Sequence, residues 1–456
     1  MRAAPLIVGA GPAGIRAAMT LVAAGLRPVV VDEAPACGGQ IYRQPLIPDG
    51  RTPAGRYGSE AAKAMRLHTE FAELRDRIDY RPGTLVWNLA LGVAHLTRDG
   101  KSDSIAHDGL ILATGAMDRV LPVPGWTLPG VFSLGGAQIA LKAQGAAIGR
   151  RVVFLGSGPL LYLVAWQYLK AGVNVVAVLD TAPFTAKLRL AAGLLLDPRT
   201  LLLGLRYAAE LRLAGVPIRF GVEKPEINGD GRVDSIGWAE AGRVGHLACD
   251  AVAFGLGLKP EAQLAELAGC AFVFSERDRV YVPLRDRAGR SSVSGVYVAG
   301  DGAGIMGADA AEAAGERAAL ALIEDRGLAF DAGRARQLES ALKRLSRFRD
   351  VMAAAFPFPH DWRIADDTTL CRCEEITAGE ARAAIAQFGI REINRLKAVS
   401  RIGMGRCQGR LCSGAAAELL AQETGQGIDA AGRLRGQAPV KPVPLSLMDR
   451  ISEVAE

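Results

Sequence analysis

The chain opens on a short apolar run, Leu6-Ile7-Val8, that ends in glycines and gives way to a helical pattern over 15–24. A second apolar run at 28–31 follows and closes on Asp32-Glu33. Strand, glycine turn, helix and strand in this order make a βαβ unit. The succession returns further on. Val152-Val153-Phe154-Leu155 leads into Gly156-Ser157-Gly158, a helical stretch and a second apolar run at 175–179 that ends in Asp180. Gly9 and Gly25 are spaced as Gly156 and Gly172 are, so the unit is an internal repeat, and counting from its first glycine aligns Asp180 with Glu33.

The later elements follow the same logic. Ile111-Leu112-Ala113-Thr114-Gly115 reads as a strand ending at a crossing point, and a proline-rich stretch at 121–130 precedes the second unit. Residues 251–257 read as another strand, with Leu258-Lys259-Pro260 turning away. The chain then returns through Val296-Tyr297-Val298-Ala299-Gly300-Asp301 to a helix over 308–324. A charged helix and the linker signal Phe356-Pro357-Phe358-Pro359 occupy 326–366. These elements predict an α/β protein with two Rossmann-like dinucleotide-binding domains. The first is discontinuous, over 1–117 and 246–325, and the second, degenerate one spans 118–245. A small helical module covers 367–425. The tail at 426–456, rich in proline and lysine (Pro439, Lys441, Pro442, Pro444), is either disordered or laid on a neighbour.

The glycines of the first unit have separate tasks. In Gly9-Ala10-Gly11-Pro12-Ala13-Gly14 they allow a tight turn, close approach to a pyrophosphate, and close packing of helix on strand. The helix N-terminus then offers free N–H groups to phosphate. An acid at the end of the second strand accepts from ribose hydroxyls; Asp32 and Glu33 both qualify. Gly39-Gln40, Thr114-Gly115 and Gly300-Asp301 complete a candidate flavin site, with Asp301 able to accept from a ribityl hydroxyl. In the second unit Leu161 stands where the first has Gly14. Its bulk should push the helix outward or block the pyrophosphate. Asp180 would suit a ribose 2′-OH, yet Leu161 weighs against NAD and for a vestigial unit or one holding another nucleotide.

Four of the seven cysteines lie late in the chain, as Cys371-Arg-Cys373 and Cys407-Gln-Gly-Arg-Leu-Cys412. Thr377 and Glu380 form a capping box that opens a helix to Phe388, and another helix covers 415–422. Both pairs thus fall on loops, where Gly403, Gly405 and Gly409 let the backbone wrap an inorganic core and aim N–H groups at sulfur. Zinc and iron–sulfur both accept four thiolates, although zinc knuckles usually space theirs C-x2-C. Arg372, Arg406 and Arg410 would offset a cluster's negative charge.

Cys37, Cys249 and Cys270 stand singly and read as small buried hydrophobes. No thiol pair accompanies the flavin site, which argues against disulfide exchange. The five histidines (68, 95, 107, 246 and 360) are scattered and read as surface residues, so no substrate-deprotonating constellation emerges. Lysine and arginine exceed acids by only 54 to 48, and aromatics make up 6%, which does not describe a nucleic-acid binder. The small basic excess suits an acidic partner surface. No apolar stretch reaches membrane-spanning length. The nearest, 188–205, is broken by Arg189, Asp197 and Arg199 and reads as a buried or partner-facing helical pair. The start leaves no room for a secretory signal, and the odd cysteine count speaks against a disulfide framework, so the expected compartment is the cytoplasm.

Residues 4–325 resemble the flavoproteins with two dinucleotide domains, the family of thioredoxin and glutathione reductases. The resemblance implies FAD held by Gly9, Gly11, Pro12, Ala13, Gly14, Asp32 or Glu33, Gly39, Gln40, Val86, Thr114, Gly115, Gly300 and Asp301. The cysteine module, with its Gly-Met-Gly-Arg-Cys-Gln-Gly-Arg run, resembles the bacterioferritin-associated ferredoxin-like domain. That implies a [2Fe-2S] cluster on Cys371, Cys373, Cys407 and Cys412. The whole order, with Gly38-Gly39-Gln40-Ile41-Tyr42-Arg43 and Pro124-Gly125-Trp126-Thr127-Leu128-Pro129-Gly130-Val131, resembles the FAD-binding α (A) subunit of bacterial heteromeric amine dehydrogenases. That group includes D-hydroxyproline dehydrogenase, octopine and nopaline oxidase, dye-linked L-proline dehydrogenase and hydrogen cyanide synthase. It implies a partner β subunit like D-amino acid oxidase that oxidises an amino or imino acid or an opine. Some members add a small γ subunit, FMN at the subunit contact, or ATP in the second unit. Electrons then pass to a quinone or dye, with membrane association, if any, peripheral and through the complex.

Overall fold

The computed structural model describes residues 4–359 and 362–444. Two parallel sheets carry the architecture. In the first, the strands Asp79–Arg81, Val29–Val31, Ala4–Val8, Lys101–Leu112 and Val296–Val298 lie side by side in that order, all parallel. The hairpin Leu85–Ala90/Val93–Arg98 continues the sheet antiparallel off the early half of Lys101–Leu112. The second sheet runs Ile218–Phe220, Asn174–Asp180, Arg151–Ser157, Ala251–Leu256, Val131–Ser133, also all parallel. Strands buried on both faces read as continuous apolar runs, which is why 6–8 and 152–155 were legible.

The topology redraws three boundaries. Ala251–Leu256 is hydrogen-bonded on both sides within the second sheet. A division at 246 cuts the strand Arg243–Ala248 and gives the first domain a strand that belongs to the second. The return crosses instead at 257–261, through the two-stranded pairing of Leu258–Pro260 with Ala116–Asp118. The stretch drawn as a linker is mostly a 24-residue helix, Ala332–Ala355, fastened to the helix Ala308–Asp325 by Arg334–Glu316 and Arg317–Glu339. The cysteine module does not stop at 425: Ala431 is fully buried in its core and Leu434 packs against it.

The repeat is also out of step by one residue with simple counting. Val8 pairs with Val31 and Leu155 with Leu179, so Asp180 stands opposite Gly156 as Asp32 follows the partner of Val8. Between Val175 and Ala177 the register slips, and Val176 is the extra residue of a β-bulge. Asp180 therefore corresponds to Asp32, not to Glu33.

The helix of the cysteine module begins at the expected capping box, Thr377 with Glu380, and runs Ala378–Phe388. Ile393–Ser400 and Ser413–Thr424 complete it. The proline-rich stretch seats this module: Trp126 Nε1 donates to Thr369 O at 2.7 Å, two residues before Cys371. The tail, as far as 444, is laid on this chain's own first domain. Val440 N donates to Trp87 O at 3.1 Å, and its side chain is buried in that domain's core. The rest of the tail, 445–456, lies outside the described residues.

Residues 184–213 form the helices Phe184–Arg189, Ala191–Leu194 and Pro198–Leu213. Of the two expectations for the leucine-rich segment, burial fails at most of its apolar side chains. Phe184, Leu188, Leu195, Leu196, Leu202, Leu205 and Leu213 are all more than half exposed. Among the described residues no helix is long and apolar enough to cross a membrane.

Candidate redox sites

The glycine turn is built so tightly that side chains are excluded from it. A Cβ on Gly14 would lie 1.7 Å from Gly9 O, and one on Gly9, at φ +107°, would lie 2.3 Å from Ala113 O. Gly39, at φ +62°, brings its backbone against Gly11 and the ring of Pro12. Ala13 is small for a reason of its own: Gly300, after the strand Val296–Val298, and Gly315, in the helix Ala308–Asp325, close on it, with 1.9 Å from a Gly315 Cβ to Ala13 O. Gly38 N donates to Ala10 O at 2.8 Å. Thr114 and Gly302 are packed so that a Cβ on the glycine would meet Thr114 Oγ1 at 2.6 Å. Gly9, Gly11, Pro12, Ala13, Gly14, Gly39, Thr114, Gly115 and Gly300 thus converge at the carboxyl end of the parallel sheet, where open α/β sheets bind ligands.

The two candidate acids of the ribose end differ sharply. Asp32 Oδ2 accepts from Ala10 N at 2.5 Å and Oδ1 from Ala34 N at 2.6 Å. Burial raises its pKa, against which both N–H groups work. Glu33 is exposed and pairs with Lys441 of the tail. Thr84 N donates to Asp32 O at 2.9 Å, which brings the turn before Val86 against the acid. The Val86 side chain itself is buried in the core. Gln40 is exposed at the rim. At the opposite end Asp301 Oδ1 accepts from Met306 N and Gly307 N, at 2.8 and 2.9 Å. No donor among the described residues reaches its Oδ2. Burial raises its pKa as well. A carboxylate with one oxygen held and one free, beside a glycine cradle that excludes side chains, fits the ribityl end of a flavin.

In the second unit the equivalent acid is consumed. Asp180 is fully buried, accepting from Tyr162 Oη at 2.5 Å, Ala182 N at 2.9 Å and Lys187 Nζ at 2.9 Å. Lys187 lies in turn over the rings of Phe220 and Phe356. Leu161 is fully buried against Phe154 and Val164. A buried leucine thus stands where the first unit admits only hydrogen.

The four late cysteines come together in two pairs. Cys371 lies beside Cys412, and Cys373 beside Cys407. The Cys371 thiol is pulled down to about 6 because Cys412 and the N–H groups of Gly403, Glu374 and Cys373 favour its thiolate, against the effect of burial. Burial pushes Cys373 up, and the N–H of Cys407 opposes it. Gly405 packs its backbone against Cys373, where a Cβ would approach within 2.3 Å of the cysteine Cβ. Among the described residues no three His, Cys, Asp or Glu groups are drawn together tightly enough for one metal ion. Two thiol pairs with N–H groups aimed at sulfur suit a two-iron core better than a single zinc.

The basic residues near the cysteines behave differently from expectation. Arg372 and Arg406 are exposed. Arg410 is neutralised by Glu261 at 2.7 Å and also donates to Val440 O. The charge that faces the thiols is Lys259, from the crossing strand, its Nζ 3.0 Å from Ser413 Oγ. Nothing in the local sequence pattern marks a lysine 148 positions before Cys407. Cys37, Cys249 and Cys270 are buried as expected, and burial raises each thiol. His246 is exposed. His68 is not a surface residue, since it is half-buried 2.9 Å from Tyr42 O, and His360 lies outside the described residues.

Two recesses stand outside these sites. One of about 580 Å³ is open along a single face of the helix Ala332–Ala355 and touches none of the residues above. The other, about 130 Å³, is lined by Lys259, Glu261, Gln408, Arg410 and Ser413 among others.

Residues 4–315 match the pyridine nucleotide-disulphide oxidoreductase family, which brings FAD with it, and residues 369–422 match the BFD-like [2Fe-2S] binding domain. The chain is 39% identical over 470 residues to the A subunit of opine oxidase from Rhizobium meliloti, covering 99% of this chain and 88% of that one. It is 33% identical over 470 residues to the HcnB subunit of hydrogen cyanide synthase from Pseudomonas aeruginosa, covering 100% of both. Its fold matches that of L-proline dehydrogenase from P. horikoshii with a TM-score of 0.73 at 19% identity, over 98% of this chain and 79% of that one. Thioredoxin reductase from T. acidophilum follows at 0.52 and 22%, over 71% and 98%. The glycine cradle, the paired thiols and these full-length likenesses agree: the chain belongs to the pyridine nucleotide-disulphide oxidoreductase family, in the group that contains the A subunit of opine oxidase, and ends in a BFD-like [2Fe-2S] domain.

Proposed function

We propose that this chain is the electron-transfer subunit of a multi-subunit dehydrogenase. The substrate, an amino acid, imino acid or opine-type secondary amine, is oxidised at its CH–NH bond on a partner β subunit. The electrons leave through this chain to a quinone or dye. FAD supplies two-electron chemistry and a [2Fe-2S] cluster one-electron transfer, so the two together join a two-electron donor to one-electron acceptors.

The observation that carries this reading is the position of Glu261. Its N–H donates to Gly115 O at 2.9 Å and its carbonyl accepts from Thr114 Oγ1 at 2.5 Å. Its carboxylate takes Arg410, which lies between Cys407 and Cys412. One residue ties the flavin-side turn to the thiol loop. In this reading Gly9, Gly11, Pro12, Ala13, Gly14 and Gly39 admit the pyrophosphate, Asp32 accepts from the ribose, and Asp301 Oδ2 accepts from the ribityl chain. Cys371, Cys373, Cys407 and Cys412 hold the iron.

A partner is supported by the exposed leucines of 184–213. Leu202, Leu205 and Leu213 share one face of the helix Pro198–Leu213, among Arg199, Arg206 and Arg212. A basic-rimmed apolar stripe of this kind suits an acidic-rimmed β subunit. The relatives point the same way, since opine oxidase and hydrogen cyanide synthase are both named by their subunits.

A self-contained NAD(P)H reductase is disfavoured by Asp180, whose oxygens are already taken by Tyr162, Lys187 and Ala182. The deciding experiment is co-expression with the candidate β subunit, followed by a dye assay over opines, hydroxyproline, proline and glycine. Dye reduction that needs both chains, and that is lost in Cys407→Ser with flavin retained, is expected. Rapid reduction of the isolated chain by NADH, with dye turnover, would overturn the proposal.

A further inference from the structure

Lys259 lies at the middle of the strand Leu258–Pro260, in the crossing between the two dinucleotide units, and pairs with Met117. Its side chain is 7% exposed. It points out of its own ribbon into the cysteine module, where Nζ donates to the hydroxyl of Ser413, the residue after Cys412. No carboxylate among the described residues forms an ion pair with it, because the neighbouring Glu261 is taken by Arg410. Burial works against its charge and lowers its pKa to about 8, while Cys412, Glu261 and Cys407 favour the ammonium and Arg119 opposes it. The two cysteines belong to different thiol pairs, so the ammonium faces both.

A buried ammonium without a counter-charge is costly, and folded chains rarely keep one without a use. Here the fold leaves no carboxylate paired with it and sets the group on the residue that follows Cys412. Thiolates around an iron core provide the missing negative charge and favour the protonated amine. The relation works in both directions: a fixed positive charge beside the core stabilises its reduced, more negative state. The other basic residues do this poorly. Arg372 and Arg406 are screened by solvent and Arg410 is paired.

We propose that Lys259 is the counter-charge of the iron–sulfur centre and sets its reduction potential. The inference rests on the reading of Cys371, Cys373, Cys407 and Cys412 as cluster ligands and names a residue outside their module. The charge enters from the strand next to Thr114-Gly115. It therefore lies on the flavin-facing side of the thiols and favours arrival of electrons from that side.

The test is an EPR-monitored redox titration of the purified full-length holoprotein, after iron and acid-labile sulfide have been measured. Lys259→Met is expected to lower the midpoint potential. Lys259→Arg, which keeps the charge, is expected to stay near wild type, and Arg406→Gln to shift far less than Lys259→Met. A merely structural lysine would not produce that order. An iron-replete Lys259→Met protein with the wild-type potential would sink the proposal. If Lys259→Met does not retain iron, Ser413→Ala decides: with the head group untethered the potential should fall in the same direction, and an unchanged value overturns the assignment. Wild-type protein containing zinc, or no sulfide, would instead refute the cluster reading beneath it.

Discussion

Asp32 and Asp180 occupy the same point of the two repeats, at the carboxyl end of the strand that pairs with the first one, each accepting from the N–H two residues on. Their remaining oxygens meet different fates. Asp32 Oδ2 braces the glycine turn through Ala10 N, while Asp180 Oδ2 is closed off by Tyr162 and Lys187. One acid holds a ligand loop and the other holds its own domain together. Asp32→Ala is expected to strip flavin from the purified protein, measured as flavin absorbance per chain. Asp180→Asn should keep its flavin but lose about 3 kcal/mol in denaturant unfolding, because Lys187 is left without its buried partner. Equal flavin loss in both variants would contradict this division.

The thiol loop has no room for a methyl group at Gly405. Gly405→Ala puts a Cβ 2.3 Å from that of Cys373, so the loop must open. Iron and sulfide content should fall markedly while flavin content stays at the wild-type level. A Gly405→Ala protein with full iron would mean that the loop is looser than its packing indicates.

Packing at Gly14 is equally unforgiving. A Cβ there lies 1.7 Å from Gly9 O, so Gly14→Ala must displace either the helix or the turn. Overpacking of this kind costs about 3 kcal/mol. The midpoint of chemical denaturation should drop and the flavin should be lost early in the transition. Leu161→Gly in the second unit should also destabilise, as a cavity, but without flavin loss.

The leucine stripe separates assembly from folding. Leu202 and Leu205 are 65% and 57% exposed, so Leu202→Glu with Leu205→Glu should change stability by no more than about 0.5 kcal/mol. Co-purification of the β subunit should nevertheless be lost, and dye-coupled turnover with it. Retention of the partner on the doubly substituted chain would move the interface elsewhere.

Burial lowers the pKa of His68 in the folded chain, against the hydrogen bond to Tyr42 O, and burial lowers that of His107 likewise. Such a group binds fewer protons folded than unfolded. Its contribution is therefore constant above the unfolded value, near 6.5, and stability falls as the pH drops below it, until the folded group also titrates. Unfolding free energies measured on the acid side of neutrality should show this slope, and His68→Gln should flatten it. An unaltered slope in that variant would assign the effect to other groups.

The two βαβ units, the capping box at Thr377 and the cysteine pairs could be read from the chain because each is a local pattern. Glycine at a forced turn, an apolar run for a strand buried on both faces, and a side chain three residues from the N–H it caps all depend on near neighbours. The glycine turn of the first domain and the two late cysteine pairs were therefore legible as patterns. The bulge at Val176 was not, because which residue of a strand is unpaired depends on the register with its neighbour, and counting from Gly156 assigned Asp180 to the wrong acid. The same holds for the strand Ala251–Leu256, apolar enough for either sheet and claimed by the second through its hydrogen bonds. Tertiary structure alone brought Lys259 to Ser413, Glu261 to Arg410 and Val440 to Trp87. Those contacts join segments far apart in the chain, and the charges and hydrogen bonds that make them favourable exist only once both partners have been carried to the same place.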